Sequence, residues 1–300
     1  EAHVCGLFHQ FRRAVHIAQR ADAVGTAAGD DIGLSALRPE VRRQGFHFRL
    51  HVRPAGAFGD GAAVQLVQQR STSERVHTLA QALSTRRPDL VVADCPPIAL
   101  EAARRAGIPA VAVGNFTWPW IYRNTPGLDT CADLLEPWQH PHPAASLWPG
   151  PGMPGFASVK AFGLVGRKAT DVPDLAPGHV LVSFGGLGLA DLNDRLPVIA
   201  GVRWLLAPPM PALDRPDCTW LEGVPYPALV AASEVVVTKP GYGIFAETAL
   251  NGARLLWVPR GHFPEARFIT RAMEERGDRR VDLAAGASPA DWRKALSLAV

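Results

Sequence analysis

The feature that most limits what this chain can fold into is the run from Ser233 to Ala249. Val235, Val236 and Val237 lead into Lys239-Pro240-Gly241-Tyr242-Gly243, and then into Ile244-Phe245-Ala246-Glu247. A short, continuous β-branched run suits a parallel strand covered on both faces. Pro240 cannot donate to a strand ladder, and the glycines on either side of Tyr242 allow φ > 0 and close backbone approach, so the strand must end there. Ile244 to Asn251 then reads as a helix. A helix that starts behind a glycine turn directs free N–H groups and about half a positive charge beyond the strand, which suits a diphosphate. Glu247, about one turn in, either accepts hydrogen bonds from ribose hydroxyls or only favours the helix dipole. The turn alone leaves both readings open.

The same rhythm recurs along the chain. Leu90 to Ala93 is a buried strand ending at Asp94. Cys95-Pro96-Pro97 turns into a helix over Pro97–Ala106, with proline in its first turn and Gly107 closing it. Ile108 to Val113 is the next strand, ending at Gly114-Asn115. Strand, helix and strand of this kind form a βαβ unit, hence a parallel sheet with a right-handed crossover. Upstream, Ser73 to Ser84 reads as an amphipathic helix with Val76, Leu79, Ala80 and Leu83 on one face. Residues 3–8 read as a first strand, His9 begins a turn into a helix reaching about Arg20, and Phe46 to Val52 reads as a second strand. Residues 54–61 read as a loop, and 22–45 show no clean period.

Strands recur at Val180–Phe184, Trp204–Leu206, Thr219–Gly223 and Arg254–Val258, and helices at 191–196, 225–231, 265–276 and 292–298. Between the halves, residues 137–156 hold six prolines and read as a loop or inter-domain connection, with Phe162–Val165 opening the second half. The expected fold is α/β: two doubly wound, Rossmann-like domains facing a cleft, residues 1–160 and 161–300.

Composition narrows the function classes. The 300 residues are 47% hydrophobic and 20% charged, ordinary for a globular chain with a sizeable core. The formal charge is +3, and the arginines are scattered in pairs with no basic face carrying aromatics, so nucleic acid is not an expected partner. Some positive excess does suit anionic small molecules. Cys5, Cys95, Cys131 and Cys218 are far apart, which argues against a zinc ribbon or disulfide scaffold and for a reducing, cytoplasmic setting. No apolar run approaches the ~20 residues of a membrane-spanning helix. No signal peptide is visible in a sequence that opens on Glu1.

In open α/β sheets, ligands bind beyond the carboxyl ends of the strands. Four notable turns follow strands of the second half: Gly185-Gly186-Leu187-Gly188, Val224-Pro225-Tyr226, Lys239 to Gly243, and Gly261-His262-Phe263-Pro264-Glu265. A nucleotide sugar needs such a set, because its base, ribose, diphosphate and sugar each require a different contact.

Residues 219–276 resemble the donor-binding half of GT-B glycosyltransferases, the group containing the bacterial peptidoglycan N-acetylglucosaminyltransferase and plant galactolipid synthases. The nearest likeness is to glycosyltransferase-like proteins related to the N-terminal region of L-arabinokinase. The shared motifs are Lys-x-Gly-Tyr-Gly before a helix with a glutamate (Lys239 to Glu247), Ser-Phe-Gly-Gly (Ser183 to Gly186), Asn-Phe-Thr-Trp (Asn115 to Trp118, followed by Ile121-Tyr122) and Asp-x-x-Pro (Asp94 to Pro97). The resemblance covers about residues 89–276 and implies transfer of a sugar from a nucleotide-diphosphate donor. It implies that Glu247 binds the donor ribose, that the turn of Lys239, Gly241, Tyr242 and Gly243 and the N–H groups after it hold the diphosphate, and that Gly185 and Gly186 also belong to the donor site. Val224 and Tyr226 would lie against the base, and His262, Phe263 and Glu265 near the sugar. No metal or other cofactor is expected, since a helix N-terminus takes up leaving-group charge.

The chain also departs from that group. A glycine loop of the form His-Gly-Phe-Gly-His-Ala is matched here by His9-Gln10-Phe11-Arg12-Arg13-Ala14. Both glycines are lost, Gln10 and Arg12 would block close approach, and Arg13 cannot act as a base. His9 is the remaining base candidate in the loop. Asp94 is either a second candidate base or a cap for the helix at Pro97. Two other functions stay open: a nucleotide-sugar-binding protein with impaired catalysis, and a nucleotide-sugar 2-epimerase. Three smaller features carry two readings each. His140-Pro141-His142 is ligand-like but lacks a nearby cluster, and the Asn115-Phe116-Thr117 sequon reads as chance. Trp118, Trp120, Trp138 and Trp148 either line an acceptor or touch a membrane surface, or else pack in core and loops.

Overall fold

The computed structural model describes residues 61–95, 97–175, 177–184, 196–259, 263–281 and 288–297. Two compact units divide between Gly163 and Leu164. The expected strands at 3–8 and 46–52, the helix after His9 and the helical reading of 191–195 lie outside the described residues.

In the first unit, helix α1 (Gly61–Arg86) precedes β1 (Val91–Asp94), α2 (Pro97–Ala106), β2 (Ala110–Gly114), α3 (Trp118–Arg123), α4 (Asp129–Gln139), β3 (Pro143–Leu147) and β4 (Ser158–Phe162). The strands lie in the order β1-β2-β3-β4, and every pair is parallel. The βαβ unit expected from Leu90 to Val113 is present. Gly107, at φ +68°, ends α2, after which the Ile108 N–H donates to the Ala103 carbonyl. Leu100 and Ala103 of α2 pack on Ala93, Ala110, Ala112 and Ala144, so small strand residues bring the helix close to the sheet.

The proline-rich stretch is a correction. Residues 137–156 are a loop only from 148 onward: Pro137 lies in the last turn of α4, and Pro143–Leu147 is a strand with all five residues buried. Proline is tolerated at the first position of a strand, and Pro143 occupies that position, opposite Ser158. A second correction is the length of α1, whose sequence suggested a helix only from Ser73.

The second unit contains β5 (His179–Ser183), β6 (Arg203–Leu206), β7 (Cys218–Trp220), α5 (Tyr226–Ala231), β8 (Val235–Thr238), α6 (Tyr242–Asn251), β9 (Arg254–Trp257), α7 (Ala266–Arg276), β10 (Arg279–Arg280) and α8 (Pro289–Ser297). Its six parallel strands lie in the order β7-β6-β5-β8-β9-β10. Side chains alternate between two apolar layers, as a period of two requires. Val180, Val182, Trp204, Val235, Val237 and Leu256 face one layer, where Trp204 meets Trp292 of α8 edge-on at 5.2 Å. Leu181, Leu205, Val236, Leu255 and Trp257 face the other, against Leu229, Phe245, Ile269 and Met273 of α5, α6 and α7. Both faces are covered, which is why the strands read as continuous apolar runs.

The chain builds outward from β5 through β6 to β7, then returns to lay β8 against the other side of β5. The order reverses there, and crevices for ligands open at such reversals.

Candidate functional site

The reversal places Ser183 at the end of β5 beside Thr238 at the end of β8. The chain leaves β8 through half-buried Lys239 and buried Pro240, and Gly241 is the N-cap residue of α6. Gly241 offers no side-chain cap, and the first intrahelical bond runs from the Phe245 N–H to the Gly241 carbonyl at 3.2 Å. The N–H groups of the first turn therefore point out of the helix at the carboxyl end of the sheet, with the positive end of the dipole behind them. The glycines work differently from the sequence expectation. Gly241 has φ −164°, ordinary extended backbone, and Gly243 is helical. What both supply is space, since a Cβ at either position would meet nothing within 4 Å.

Glu247 is in the second turn of α6 and is buried, at 7% exposure. Its Oε1 accepts a hydrogen bond from Arg167 Nε at 2.7 Å. Tyr226, the first residue of α5, donates its phenol hydrogen to Ser183 Oγ at 2.6 Å. Burial is the main cause that pushes the Tyr226 phenol up to about 12; Ser183 opposes it, the Glu247 carboxylate adds to it and the Arg167 guanidinium opposes it. Tyr226 is thus within electrostatic reach of the Arg167–Glu247 pair. Tyr242, at the start of α6, accepts the Val165 N–H on its hydroxyl at 2.9 Å. Val224, Tyr226, Tyr242 and Ile244 all pack on the same apolar layer.

Beyond β9, Phe263 is half-buried, and buried Glu265 is the N-cap residue of α7, with no side-chain cap bond. Gly185, Gly186 and His262 lie outside the described residues, as does His9. The structure therefore gathers Tyr226, Tyr242 and Glu247 around one rim with Ser183, while Phe263 and Glu265 begin the neighbouring helix. Sequence reasoning missed Arg167 and Asn251. Arg167 stands 80 residues from Glu247 in a stretch with no period; its one sequence signal is a basic residue behind Gly166, where the second half begins.

In the first unit, Asp94 is the last residue of β1 and is exposed. Desolvation of its carboxyl group by neighbouring atoms raises its pKa, which the Cys95 thiol opposes by hydrogen bonding. Cys95 itself adopts φ +64°. Asn115 is buried and donates to the Pro149 carbonyl at 3.2 Å, so the sequon is tied into the fold. Trp118 meets Phe116 edge-on and Tyr122 at a tilt, Trp138 packs beside α1, and Trp148 is 48% exposed. His140 and His142 diverge: His140 Nδ1 lies 3.2 Å from the Gly155 carbonyl, whereas His142 is buried. Among the described residues, no three histidine, cysteine or carboxylate side chains gather as a metal set. No described helix is long and apolar enough to cross a membrane.

No protein-family model matches the chain. L-arabinokinase of Arabidopsis thaliana is 25% identical over 223 residues, which is 67% of this chain but only 21% of that much longer protein. Among solved structures, the calicheamicin glycosyltransferase CalG4 superposes with a TM-score of 0.58 at 19% identity, covering 83% of this chain and 74% of its own. The glycotransferase of kitacinnamycin gives 0.56 at 19%, covering 83% and 77%. Arabidopsis thaliana UGT89C1 complexed with UDP-L-rhamnose gives 0.53 at 16%, covering 84% and 73%. With its two parallel α/β sheets, the chain has the GT-B fold of glycosyltransferases and resembles about a fifth of L-arabinokinase.

Proposed function

We propose that this chain is a glycosyltransferase that moves a sugar from a nucleotide-diphosphate donor to an acceptor. The observation that carries the proposal is the uncapped N-terminus of α6 at the strand-order reversal, with the buried Glu247 carboxylate in the second turn of the same helix. The second unit is the donor side and the first the acceptor side. The first-turn N–H groups of α6, with Lys239, Gly241, Tyr242 and Gly243 and the Gly185-Gly186 turn, hold the diphosphate. Glu247 accepts the ribose hydroxyls, Val224 and Tyr226 lie against the base, and His262, Phe263 and Glu265 address the sugar.

Transfer is substitution at the anomeric carbon. An acceptor oxygen forms the new bond to that carbon as its bond to the β-phosphate oxygen breaks, and the electron pair leaves with the diphosphate. The helix N-terminus stabilises the charge that develops there. The acceptor proton goes to a base, for which Asp94 and His9 are the candidates. Its raised pKa brings the Asp94 carboxyl closer to the range in which a base works at neutral pH.

A thermal-shift screen against nucleotide sugars and free nucleotides tests the donor site, because a ligand that binds only the folded chain stabilises it. A selective upward shift with one nucleotide family is expected. Glu247→Ala should then weaken that nucleotide roughly tenfold or more, the value of hydrogen bonds to a charged group. No shift with any member of the panel, or unchanged affinity in the variant, overturns the assignment. The products then separate the classes: transferred sugar or released diphosphate marks a transferase, an altered free nucleotide sugar an epimerase, and binding without turnover a binding protein.

A further inference from the structure

The segment that opens the second unit, residues 164–170, has no strand or helix of its own, yet it is fastened along α6 at regular intervals. Val165 N–H donates to Tyr242 Oη at 2.9 Å, Arg167 Nε to Glu247 Oε1 at 2.7 Å, and Ala169 N–H to Asn251 Oδ1 at 2.7 Å. Asn251 Nδ2 donates in turn to the carbonyls of Arg167, at 2.9 Å, and Glu247, at 2.8 Å. Alternate residues of the segment therefore meet successive turns of the helix, as an extended chain laid along a helix allows. Gly166 permits the close approach: a Cβ there would stand 3.0 Å from Leu250 Cδ1 and 3.1 Å from Ala246 Cβ.

This strap puts one guanidinium against one carboxylate. The Glu247 side chain is 9% exposed and that of Arg167 33%, so the acid is the inner partner and the base closes over it. A carboxylate so deeply placed is costly to keep charged without a cation beside it. It offers about four lone-pair sites on two oxygens, more than one Nε bond takes up, and a vicinal diol needs two. The backbone on both sides of Arg167 is itself bonded to α6, so the guanidinium approaches from a fixed direction.

Building on the assignment of Glu247 to the donor ribose, we propose that Arg167 is a positioning residue of the donor site: its Nε bond fixes the Glu247 carboxylate in one charged orientation, and that orientation lets the site recognise the 2′- and 3′-hydroxyls of a nucleoside diphosphate. Arg167 touches neither the anomeric carbon nor the leaving oxygen in this scheme. It acts through Glu247.

The test is calorimetric titration of the full chain with uridine and guanosine diphosphates and with their 2′,3′-dideoxy counterparts. The wild-type chain should prefer one ribonucleotide over its dideoxy form by about tenfold, and Arg167→Gln should bring that ratio close to one by weakening the ribonucleotide alone. Equal weakening of both forms overturns the proposal, because it means that the guanidinium contacts the diphosphate directly. An unchanged ratio with only a lower melting temperature also overturns it, and leaves the segment as a structural strap. If Arg167→Gln does not fold, Arg167→Lys keeps the stem and the charge but not the rigid Nε donor. A reduced ratio in that variant supports the proposal and an unchanged one overturns it. A wild-type chain that binds none of the four nucleotides overturns the donor-site reading itself, and the role of Arg167 with it. That failure is distinct from the others, which all start from a chain that binds.

Discussion

Two of the connections that run from the carboxyl end of a parallel strand into a helix are finished in opposite ways. After β2, the chain is closed by its own side chains. Asn115 bonds the Pro149 carbonyl, Thr117 Oγ accepts the Trp120 N–H at 3.2 Å as an N-cap, and the Cys95 thiol lies 3.7 Å from the Phe116 carbonyl. Gly150 is held so close that a Cβ would overlap the Asn115 carbonyl oxygen. After β8, Gly241 gives no side-chain cap, and there is open space beside both Gly241 and Gly243. The threonine cap takes up one N–H donor of its helix start, whereas the glycine N-cap of α6, at the strand-order reversal, takes up none. That contrast supports the donor site proposed for the second unit.

The sharpest way to break the comparison is to close the open end. Gly243→Asp places a carboxylate in the first turn of α6, where it competes for the same N–H groups and repels an anion. Affinity for a nucleoside diphosphate should fall roughly a hundredfold, the scale of losing charge-assisted hydrogen bonds. Stability should rise by about 0.5–1 kcal/mol, because a glycine leaves a helix and an acid joins its N-terminus. A titration and a denaturant melt of the same variant read both signs. Unchanged affinity would mean that the open end is not where the diphosphate binds.

The converse change crowds the closed end. Gly150→Ala should cost about 1–3 kcal/mol of stability, because the added methyl meets backbone that cannot step aside. Nucleotide affinity of the folded chain should stay at the wild-type level. A neutral effect on the urea midpoint would show that the loop at Asn115 yields more easily than its hydrogen bonds suggest.

The smallest effect concerns what close packing does to a titrating group. His142 enters β3 buried, with Nε2 unpartnered. Burial lowers its pKa below 6.5, while the Ala110 backbone bond and the Glu101 carboxylate oppose the shift and Arg104 adds to it. The folded chain therefore binds this proton less readily than the unfolded chain. Stability is fully present above about pH 6.5, falls as pH drops below it, and stops falling once pH passes the lower folded value. The melting temperature of the wild-type chain should decline more steeply than that of His142→Gln between about pH 7.5 and about pH 5.5. Parallel declines would show that His142 is solvated.

Much of the second unit was legible because its signals are local. Val235 to Val237 announced a strand covered on both faces, and Pro240-Gly241 its end. Helix α2 begins on Pro97 and ends before Gly107, as its punctuation required. The first unit was harder to read between Asp129 and Phe162. Its prolines suggested a connection, but proline composition does not distinguish a loop from a strand that takes its proline at the first position. Only pairing with β2 and β4 makes Pro143–Leu147 a central strand. Glu247 was visible as a carboxylate on a helix. Its partner was not, because no local rule links residues 80 positions apart.

The alternation of buried strands and helices, and hence the parallel sheets, was already written in the sequence, as was a glycine-bearing turn before α6, where we propose that a diphosphate binds. Those properties follow from period, branching and the conformational limits of glycine and proline, which act over a few residues. Tertiary structure alone decided three things. It set the strand order that puts Ser183 beside Thr238. It left α6 uncapped while α3 was closed. It also laid the 164–170 segment along α6 so that Arg167 meets Glu247. Each of these depends on which distant segments pack together, and that is fixed by burial of the two apolar layers across the whole sheet rather than by any stretch of the chain alone.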